Sequence, residues 1–389
     1  MKEIYLDNSA TTKISREALD KYIEVSEGCF GNPSSLHALG FSAEKILSEA
    51  RSEILSSLGA ARATVIFCGS GSEANNLAIF GRAYSKERYK KGAKIIITDS
   101  EHASVNECAE MLKKEGFRVA KIPTKCGKID TGALSSELTP DTVLVSVMMV
   151  NNETGALYDT LSVAKMIKER AVEAYLHVDA TQSFMKLPFT KSSIGADMIT
   201  VSSHKIEGPK GVGALIIDPR IIKEKGLIPQ TLGGGQEMGL RSGTENVPAI
   251  AAFGEAVRIG RMNLEQRYAK MRALRDYLVE KLNTTEALSE ISITNPESCA
   301  PHILNITLPK IKSETMLHYL SSRGIYVSSG SACSSNSSHS SSSLIAYGRT
   351  VSEADSSIRI SFSHRNEFSD VDELISALSD GLSKLARIR

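Results

Sequence analysis

Short apolar runs alternate with amphipathic segments between about residues 60 and 220. The runs have the length of β-strands, and VLVSVMMV at 143–150 is apolar along most of its length, which favours a strand buried on both faces of a sheet. The predicted strands are Thr64–Phe67, Lys94–Thr98, Arg118–Ile122, Thr142–Val147, Ala174–Val178, Asp197–Val201 and Val212–Ile217. Because alternating strands and helices are typical of α/β proteins, we expect a mostly parallel seven-stranded sheet with helices on both faces.

The amphipathic segments between these strands predict the helices. They are Glu73–Tyr84, Ala103–Lys114 and Asp159–Glu169. An earlier helix is predicted from Ser42, a plausible N-cap, through an apolar face that ends at Leu58, with Gly59 as the stop signal.

A second, smaller domain is predicted after this pattern ends. NLEQRYAKMRALRDYLVEKLN at 263–283 is typical of one long helix that would lead into it. Further predicted strands are Ile303–Leu308 and Ile358–Phe362, and further predicted helices are Glu314–Ser322 and Val371–Leu385. We therefore expect a large domain over 13–263 and a small α+β domain over 264–389, on which residues 1–12 would pack.

Composition excludes several classes of partner. The 389 residues carry a formal net charge of +1 with both signs interspersed, so no basic field for nucleic acid or for a membrane surface is expected. No apolar run approaches the roughly 20 residues that span a bilayer, and the first residues, MKEIYLDNSATT, do not resemble a signal peptide. A cytoplasmic protein is the expectation.

The cysteines favour a catalytic role over a structural one. The six cysteines are scattered, with no CxxC pair and no Cys/His spacing of a zinc site, so no metal centre is expected. Reduced thiols suit a cytoplasmic protein. Cys333 lies in the serine-rich segment 328–343, whose composition predicts a flexible polar loop.

An acid and a lysine follow two of the predicted strands. Asp179 comes directly after the strand that ends at Val178, and Lys205 follows the strand that ends at Val201. Pyridoxal phosphate needs such a pair, because a lysine holds its aldehyde as an imine and a carboxylate keeps its ring nitrogen protonated. Each residue alone could equally be a helix-capping aspartate or a surface lysine.

The turn GSGSEANN at 69–76 lies between a predicted strand and a predicted helix. The backbone amides of Gly71 and Ser72, the serine hydroxyl and the helix N-terminus would form a phosphate cradle. Residues 69–74 also satisfy a loose G-x-G-x-x-A fingerprint, with Asp99 ending the next strand. The rival hypothesis is therefore a nicotinamide-dependent oxidoreductase, which would leave Asp179 and Lys205 without roles.

Other polar residues follow the same strands. His102 could stack on a cofactor ring and move protons, or it could simply cap a helix. Asn152 and Gln182 could reach the cofactor hydroxyl or a substrate carboxylate, or Asn152 could belong to an ordinary turn. The glycine-rich segment 233–246 contains Thr244, which could supply a phosphate hydroxyl or belong to a surface linker.

Taken together, these motifs resemble the cysteine desulfurases, pyridoxal phosphate enzymes of the class V aminotransferase-like group. The matching segments span nearly the whole chain: YLDNSATT (5–12), GNPSSLH (31–37), GSGSEANN (69–76), EHASV (101–105), VNNETG (150–155), HVDATQS (177–183), SSHKIEGPKG (202–211), GGGQEMGLRSGTENV (233–247), SSGSAC (328–333) and IRIS (358–361). The resemblance implies a fold-type I homodimer that converts L-cysteine to L-alanine.

The resemblance also implies roles for individual residues. Lys205 would hold the cofactor, Asp179 would face its ring nitrogen, Asn152 and Gln182 would address its ring oxygen, His102 would stack on the ring, and Gly71, Ser72, Ser202 and His204 would hold the phosphate, with Thr244 reaching in from the other subunit. Arg359 would bind the substrate carboxylate, to which Asn152 is also assigned, and Cys333 would accept the sulfur as a persulfide.

The chain departs from the family in three places. After Cys333, NSSHSSSSLIAYG replaces the usual Glu-Pro-Ser helix start. After Arg359, Phe362-Ser363-His364 replaces Leu-Gly-Arg, and the chain stops earlier than housekeeping members.

The resemblance further implies that sulfur would pass to a protein partner in iron–sulfur cluster assembly or in tRNA thiolation. A selenocysteine lyase, another β-lyase and a catalytically silent partner-binding homologue are the alternatives.

Overall fold

A computed structural model describes residues 3–85, 93–170, 173–309, 311–329 and 341–385. The strands are β1 (Ile4–Tyr5), β2 (Thr64–Cys68), β3 (Lys94–Thr98), β4 (Arg118–Ile122), β5 (Thr142–Met148), β6 (Tyr175–Asp179), β7 (Met198–Ser202), β8 (Gly213–Ile217), β9 (Ser292–Thr294), β10 (Ile303–Thr307), β11 (Ile325–Tyr326), β12 (Ser328–Ser329) and β13 (Ser357–Ser361). The helices are α1 (Arg16–Gly28), α2 (Ala38–Ser57), α3 (Gly71–Ala83), α4 (Ala103–Lys114), α5 (Thr131–Glu137), α6 (Thr160–Glu169), α7 (Lys191–Ile194), α8 (Pro219–Lys223), α9 (Val247–Met262), α10 (Leu264–Thr284), α11 (Ser313–Ser322), α12 (Ser342–Tyr347), α13 (Val351–Asp355) and α14 (Phe368–Lys384).

A seven-stranded sheet in the order β2-β8-β7-β6-β5-β3-β4 forms the centre of the molecule. Its pairs are parallel except for those of β8, which runs antiparallel to β2 and to β7. Successive residues of one strand belong to different apolar clusters: Val65 and Phe67 pack on one face, and Ile66 packs on the other. This alternation shows that both faces are covered by helices, as the continuous apolar runs predicted. The predicted mostly parallel α/β fold is confirmed.

The carboxyl ends of the parallel strands determine where a ligand site can form. Strands β5, β6 and β7 are neighbours and run in the same direction, so their carboxyl ends meet at one edge of the sheet. In open α/β sheets this edge is where ligands bind.

A four-stranded antiparallel sheet, β12-β13-β10-β9, packs with α10, α11 and α14 around a separate apolar cluster. The first residues of the chain join it, because β1 pairs with β11 in parallel and Ile4 and Leu6 belong to the same cluster. The long helix predicted over 263–283 is present as α10. The domain boundaries at 12/13 and 263/264 stay a prediction.

The predicted start of the helix before Gly59 is wrong. Helix α2 begins at Ala38, and Nδ1 of His37 accepts from the Gly40 amide at 3.4 Å, whereas Ser42 lies inside the helix. Gly40 lies in the first turn of α2, where a Cβ would lie 2.0 Å from the Ser35 carbonyl oxygen. The residue is thus required by a close backbone approach. No helix among the described residues is both long and apolar enough to span a membrane.

Candidate active site

Asp179 and Lys205 open into one cavity of about 390 Å³. Asp179 is the last residue of β6, and Lys205 ends the short 3₁₀ turn Ser203–Lys205 that follows β7. Because β6 and β7 are adjacent and parallel, the two side chains reach the same edge of the sheet, as the sequence predicted.

Most of the predicted site residues line this cavity. They are Gly71, Ser72, His102, Asn152, Asp179, Gln182, Ser202, His204, Lys205 and Arg359. Thr244 is exposed and is not among the lining residues. Cys333 and residues 330–340 of the predicted flexible loop 328–343 lie outside the described residues. The ends of that segment are not loop as predicted, because Ser328–Ser329 form β12 and α12 begins at Ser342.

The carboxylate of Asp179 is buried and fixed by two donors. Its Oδ2 accepts a hydrogen bond from Asn75 Nδ2 at 2.8 Å, and its Oδ1 accepts from the Thr181 amide at 2.9 Å. Two hydrogen bonds fix the orientation of the carboxylate. The arrangement therefore presents an oriented carboxylate to the cavity.

A phosphate-sized cradle lies at the N-terminus of α3. Ser70 caps the helix, its hydroxyl accepting from the Glu73 amide at 3.1 Å, and Gly71 and Ser72 begin the first turn. A Cβ on Gly71 would lie 3.3 Å from Ser202 Cβ and from Thr181 Oγ1, so glycine keeps this corner open. The Ser202 hydroxyl is buried and has no hydrogen-bond partner among the described residues.

The amine of Lys205 lies against the N-terminal segment. Its Nζ donates to the backbone carbonyls of Ser9 at 2.5 Å and Ala10 at 2.8 Å. Gln182 Nε2 also donates to the Ser9 carbonyl, at 2.9 Å, which leaves the buried Gln182 Oε1 without a partner in the described part of the chain. Ser9 and Ala10 are thus site residues that sequence reasoning did not find.

His102 is a neutral imidazole in this site. It is the N-cap of α4, and its Nδ1 accepts from the Ser104 amide at 3.1 Å, which places the proton of the neutral ring on Nε2. Burial lowers the pKa of His102, and the positive charge of Lys205 acts in the same direction while Asp179 opposes it. Burial, then Lys205 and Lys186, likewise lower the pKa of His204 to about 4.

Arg359 reaches the cavity from β13, on the small sheet. Its Nη2 donates to Asp7 Oδ1 at 2.8 Å and its Nη1 donates to the Asn152 carbonyl at 2.9 Å, while the buried Nε has no partner among the described residues. Two fixed contacts hold the planar guanidinium in one orientation. Asp7, like Ser9 and Ala10, is a residue that sequence reasoning did not assign to the site.

The dinucleotide-binding alternative is wrong. In that fold the acidic residue after the second strand lies next to the glycine turn. Here β2 and β3 are not neighbours, since β8, β7, β6 and β5 lie between them. Asp99 instead accepts from Thr124 Oγ1 at 2.6 Å and does not line the cavity.

Asn75, which lines the cavity and donates to Asp179, is a further candidate site residue that the sequence could have indicated. It lies four residues after Gly71, which places both on one face of α3. Asp7, Ser9 and Ala10 lie in YLDNSATT (5–12), a segment that matches the family, but the sequence did not indicate their roles, because their contacts join segments that are far apart along the chain.

Comparison with known proteins decides the family. The family model described as aminotransferase class-V matches residues 4–374. The chain belongs to the class-V aminotransferase family. Among its relatives, cysteine desulfurase IscS 1 of Archaeoglobus fulgidus is 36% identical over 98% of this chain and 97% of its own length. A solved NifS-like protein superposes with a TM-score of 0.89 at 32% identity, covering 99% of this chain and 100% of its own. The structure of SspA in complex with cysteine superposes with a TM-score of 0.78 at 30% identity, covering 93% of this chain and 99% of its own.

Members of this class-V group use pyridoxal phosphate, and the chain is a pyridoxal phosphate-dependent enzyme of the cysteine desulfurase type. The cavity fits the cofactor. The Ser202 hydroxyl, which has no hydrogen-bond partner in the described part of the chain, and the open corner at Gly71 suit a phosphate. The anchored Asp179 carboxylate suits a protonated ring nitrogen. Lys205, on the neighbouring strand end, supplies the amine that the aldehyde requires.

Proposed function

We propose that this protein removes sulfur from L-cysteine, yielding L-alanine and a persulfide on Cys333. The observation that carries the proposal is the convergence of Lys205, Asp179 and the guanidinium of Arg359 in one cavity. Relatives named cysteine desulfurase, and the neighbour solved in complex with cysteine, support the choice of substrate.

The overall reaction is redox-balanced between substrate and enzyme. The Cys333 thiolate attacks the substrate sulfur, a sulfur–sulfur bond forms, and the carbon–sulfur bond breaks with its electron pair remaining on Cβ. A proton equivalent to that lost by the Cys333 thiol then completes the methyl group of alanine. The sulfur is oxidised and the carbon is reduced, and no external oxidant is required.

When bound, pyridoxal phosphate supplies an electron-withdrawing ring that stabilises negative charge at the substrate Cα. We assign Lys205 to holding the aldehyde and to moving the Cα proton once its amine is displaced. The Ser9 and Ala10 carbonyls accept from that amine and hold it at the cavity edge.

The remaining contacts follow from the donors and acceptors that face the cavity. Gly71, Ser72, Ser202 and His204 are assigned to the phosphate, Asp179 to the ring nitrogen, Asn152 and Gln182 to the ring oxygen, and His102 to stacking on the ring. Arg359 is assigned to the substrate carboxylate, with Asn152 beside it, because its orientation is fixed by Asp7. The neutral state of His102 suits stacking, since it avoids a second positive charge beside a protonated ring.

The active unit is proposed to be a homodimer. Several of the exposed large apolar side chains lie in two segments: Phe30, Leu36 and Phe41 before and within α2, and Leu232 and Met238 just before and within the glycine-rich segment 233–246. The two segments are tied to one another, because Glu237 accepts from Arg51 Nη2, on α2, at 2.7 Å. Apolar surface of this kind is typical of an interface. Thr244, exposed in the second segment, would then reach the phosphate in the other subunit's site.

Delivery of the sulfur is proposed to involve a partner protein, either an iron–sulfur cluster scaffold or a tRNA-thiolation enzyme. Cys333 would carry the persulfide to it. The cysteines within the described residues, Cys29, Cys68, Cys108, Cys126 and Cys299, are free thiols, which supports the expected cytoplasmic location.

The test is turnover with L-cysteine under reductant, measured as alanine and sulfide. Wild type should be yellow and should form both products in equal amounts. Cys333→Ala should keep the colour and lose turnover, Lys205→Ala should lose the imine absorbance, and Cys126→Ala is the control thiol. A colourless wild type would overturn the cofactor assignment. Full activity of Cys333→Ala would overturn the persulfide step, and a strong preference for selenocysteine would favour a selenocysteine lyase.

A further inference from the structure

A second, smaller cavity is also lined by Lys205. Its volume is about 30 Å³. Its lining residues come from the N-terminal segment, the 182–187 turn, the Lys205 turn, α10 and the segment after β13: Asn8, Thr12, Met185, Lys186, Lys205, Ile206, Glu207, Arg267, Met271, Phe362, Ser363 and His364. We call it the rear chamber.

Three buried polar atoms on the wall of the rear chamber lack hydrogen-bond partners within the described ranges. They are Lys186 Nζ, Glu207 Oε2 and Arg267 Nε. Buried polar groups without a protein partner are normally satisfied by ordered water, and a cavity of this volume accommodates roughly two water molecules. The amine, the carboxylate and the guanidinium together offer such water both donors and acceptors.

Lys186 is the least explained of these groups. Lys186 is 5% exposed, and the function proposed above assigns it no role. An ammonium ion that is buried without a counter-ion in contact is costly, so such a lysine tends to give up its proton. Burial, and next the positive charges of Lys205 and Arg359, lower the pKa of Lys186 to about 7, while Glu207 opposes the change.

The charged groups around Lys186 come from each element that packs on it. They are His204, Lys205 and Glu207 on and after the Lys205 turn, Arg267 on α10, Arg359 on β13, His302 before β10, and His364 and Arg365 after β13. Burial, and then Lys186 itself, hold the pKa of His302 well below its ordinary value, so this ring adds no charge near pH 7.

The wall of the rear chamber is fixed by Glu207. Its backbone has φ of +67°, a left-handed conformation that is rare outside glycine. Its amide donates to Thr12 Oγ1 at 2.8 Å, and its Oε1 lies 2.7 Å from Arg365 Nε. Its Oε2 lies 3.4 Å from Arg267 Nη1. These contacts hold the turn that carries Lys205, two residues away, against both α10 and the segment after β13.

We propose that Lys186 is a positioning residue that exchanges a proton with Lys205 through water held in the rear chamber, and so sets the protonation state of the Lys205 amine. The transfer is balanced: the ammonium of Lys205 loses a proton as the amine of Lys186 gains one, with water as the relay. The proton exchange itself does not depend on the proposed function. Its effect on catalysis does, because that effect rests on the role assigned to Lys205.

The first test measures Lys186 directly. Full-length protein labelled with ¹³C at lysine Cε is titrated by NMR, with and without pyridoxal phosphate, and the resonance is assigned by its loss in Lys186→Met. In the cofactor-free protein Lys186 should titrate near pH 7 rather than near 10.5, and Lys205→Ala should move the midpoint upward by about one pH unit. A midpoint above about pH 9, or one that Lys205→Ala leaves in place, overturns the proposal.

The second test measures Lys205 through the absorbance of its cofactor imine as a function of pH. Lys186→Arg places a permanent cation near Lys205 and should move the transition to lower pH by about one unit, whereas Lys186→Met should move it to higher pH. Lys165→Met, the same change at an exposed position of α6, should leave it unchanged. Coincident transitions in the Arg and Met variants overturn the proposal. Because the NMR midpoint needs no turnover, an inactive enzyme with the expected midpoints would contradict the proposed function and not this inference.

Discussion

Ser202→Ala should strengthen the fold and weaken the cofactor site at the same time. Ser202 is 2% exposed, and its hydroxyl has no hydrogen-bond partner among the described residues, although it lines the cavity at the phosphate cradle. A buried, unsatisfied hydroxyl destabilises the protein, whereas the same hydroxyl facing a phosphate makes a charge-assisted hydrogen bond. The two effects have opposite signs in the cofactor-free and cofactor-bound proteins.

The magnitudes follow from these two states. Removing the unpaired hydroxyl should raise the stability of the cofactor-free protein by about 1–2 kcal/mol, which corresponds to a rise of roughly 1–3 °C in Tm for a chain of this length. Loss of a hydrogen bond to a charged group costs about 1.5–3 kcal/mol of binding free energy, so Kd for pyridoxal phosphate should rise roughly 10- to 150-fold.

The assay is titration of the cofactor-free protein with pyridoxal phosphate, paired with thermal unfolding of the free and loaded forms. Ser203→Ala is the matched control. Ser203 is fully buried, its hydroxyl also lacks a partner among the described residues, and it does not line the cavity. It should show the gain in Tm without the loss of affinity. Equal losses of affinity in the two variants, or an unchanged Kd for Ser202→Ala, would refute the assignment of Ser202 to the phosphate.

Two further predictions concern buried carboxylates. Burial, with Asp179 and Asp99 adding to it, raises the pKa of Glu101 to about 8, so the folded protein retains a proton that the unfolded chain releases above about pH 4, and stability falls as pH rises through that window. The Tm of Glu101→Gln should therefore rise relative to that of wild type progressively from about pH 5 to pH 9. For the exposed Glu107→Gln, the difference in Tm from wild type should not change with pH. A pH-independent difference for Glu101→Gln would contradict the argument. Glu207→Gln should lower the urea-derived free energy of unfolding by about 1–3 kcal/mol, because it leaves buried Arg267 without its counter-ion, the effect being moderated by the partial exposure of Arg365. The exposed Glu265→Gln on α10 is its control, and equal stability of the two variants would show that the cluster contributes nothing.

The central sheet and the residues at its edge could be predicted because their signals are local. Strand length, apolar continuity and the polar residue after each run are properties of short windows, so the strands came within about two residues of their observed bounds and Asp179 and Lys205 were placed on neighbouring strand ends. Asn75 could have been added by the same reasoning, since helical periodicity places it on the Gly71 face of α3.

The helix start at Ala38 shows where local reasoning fails. Ser42 matches the usual N-cap preference, so the pattern favours a later start. The observed cap is a histidine, and Gly40 is required by the carbonyl of Ser35. Such a requirement depends on the path of the preceding turn, which residue type alone does not determine.

The N-terminal segment explains why the geometry of the site lay beyond sequence reasoning. Asp7 orients Arg359 across 352 residues of chain, and the carbonyl of Ser9 accepts from Lys205 across 196 residues. Since every residue has a backbone carbonyl, the residue type at position 9 does not predict the hydrogen bond from Lys205. One short segment thus holds both the group assigned to the substrate carboxylate and the amine assigned to the Cα proton. Because the carboxylate and the Cα are adjacent in an amino acid, a shift of this segment would displace both groups together and preserve their spacing. That is a physical reason for Asp7 and Ser9 to lie in one continuous stretch of the chain.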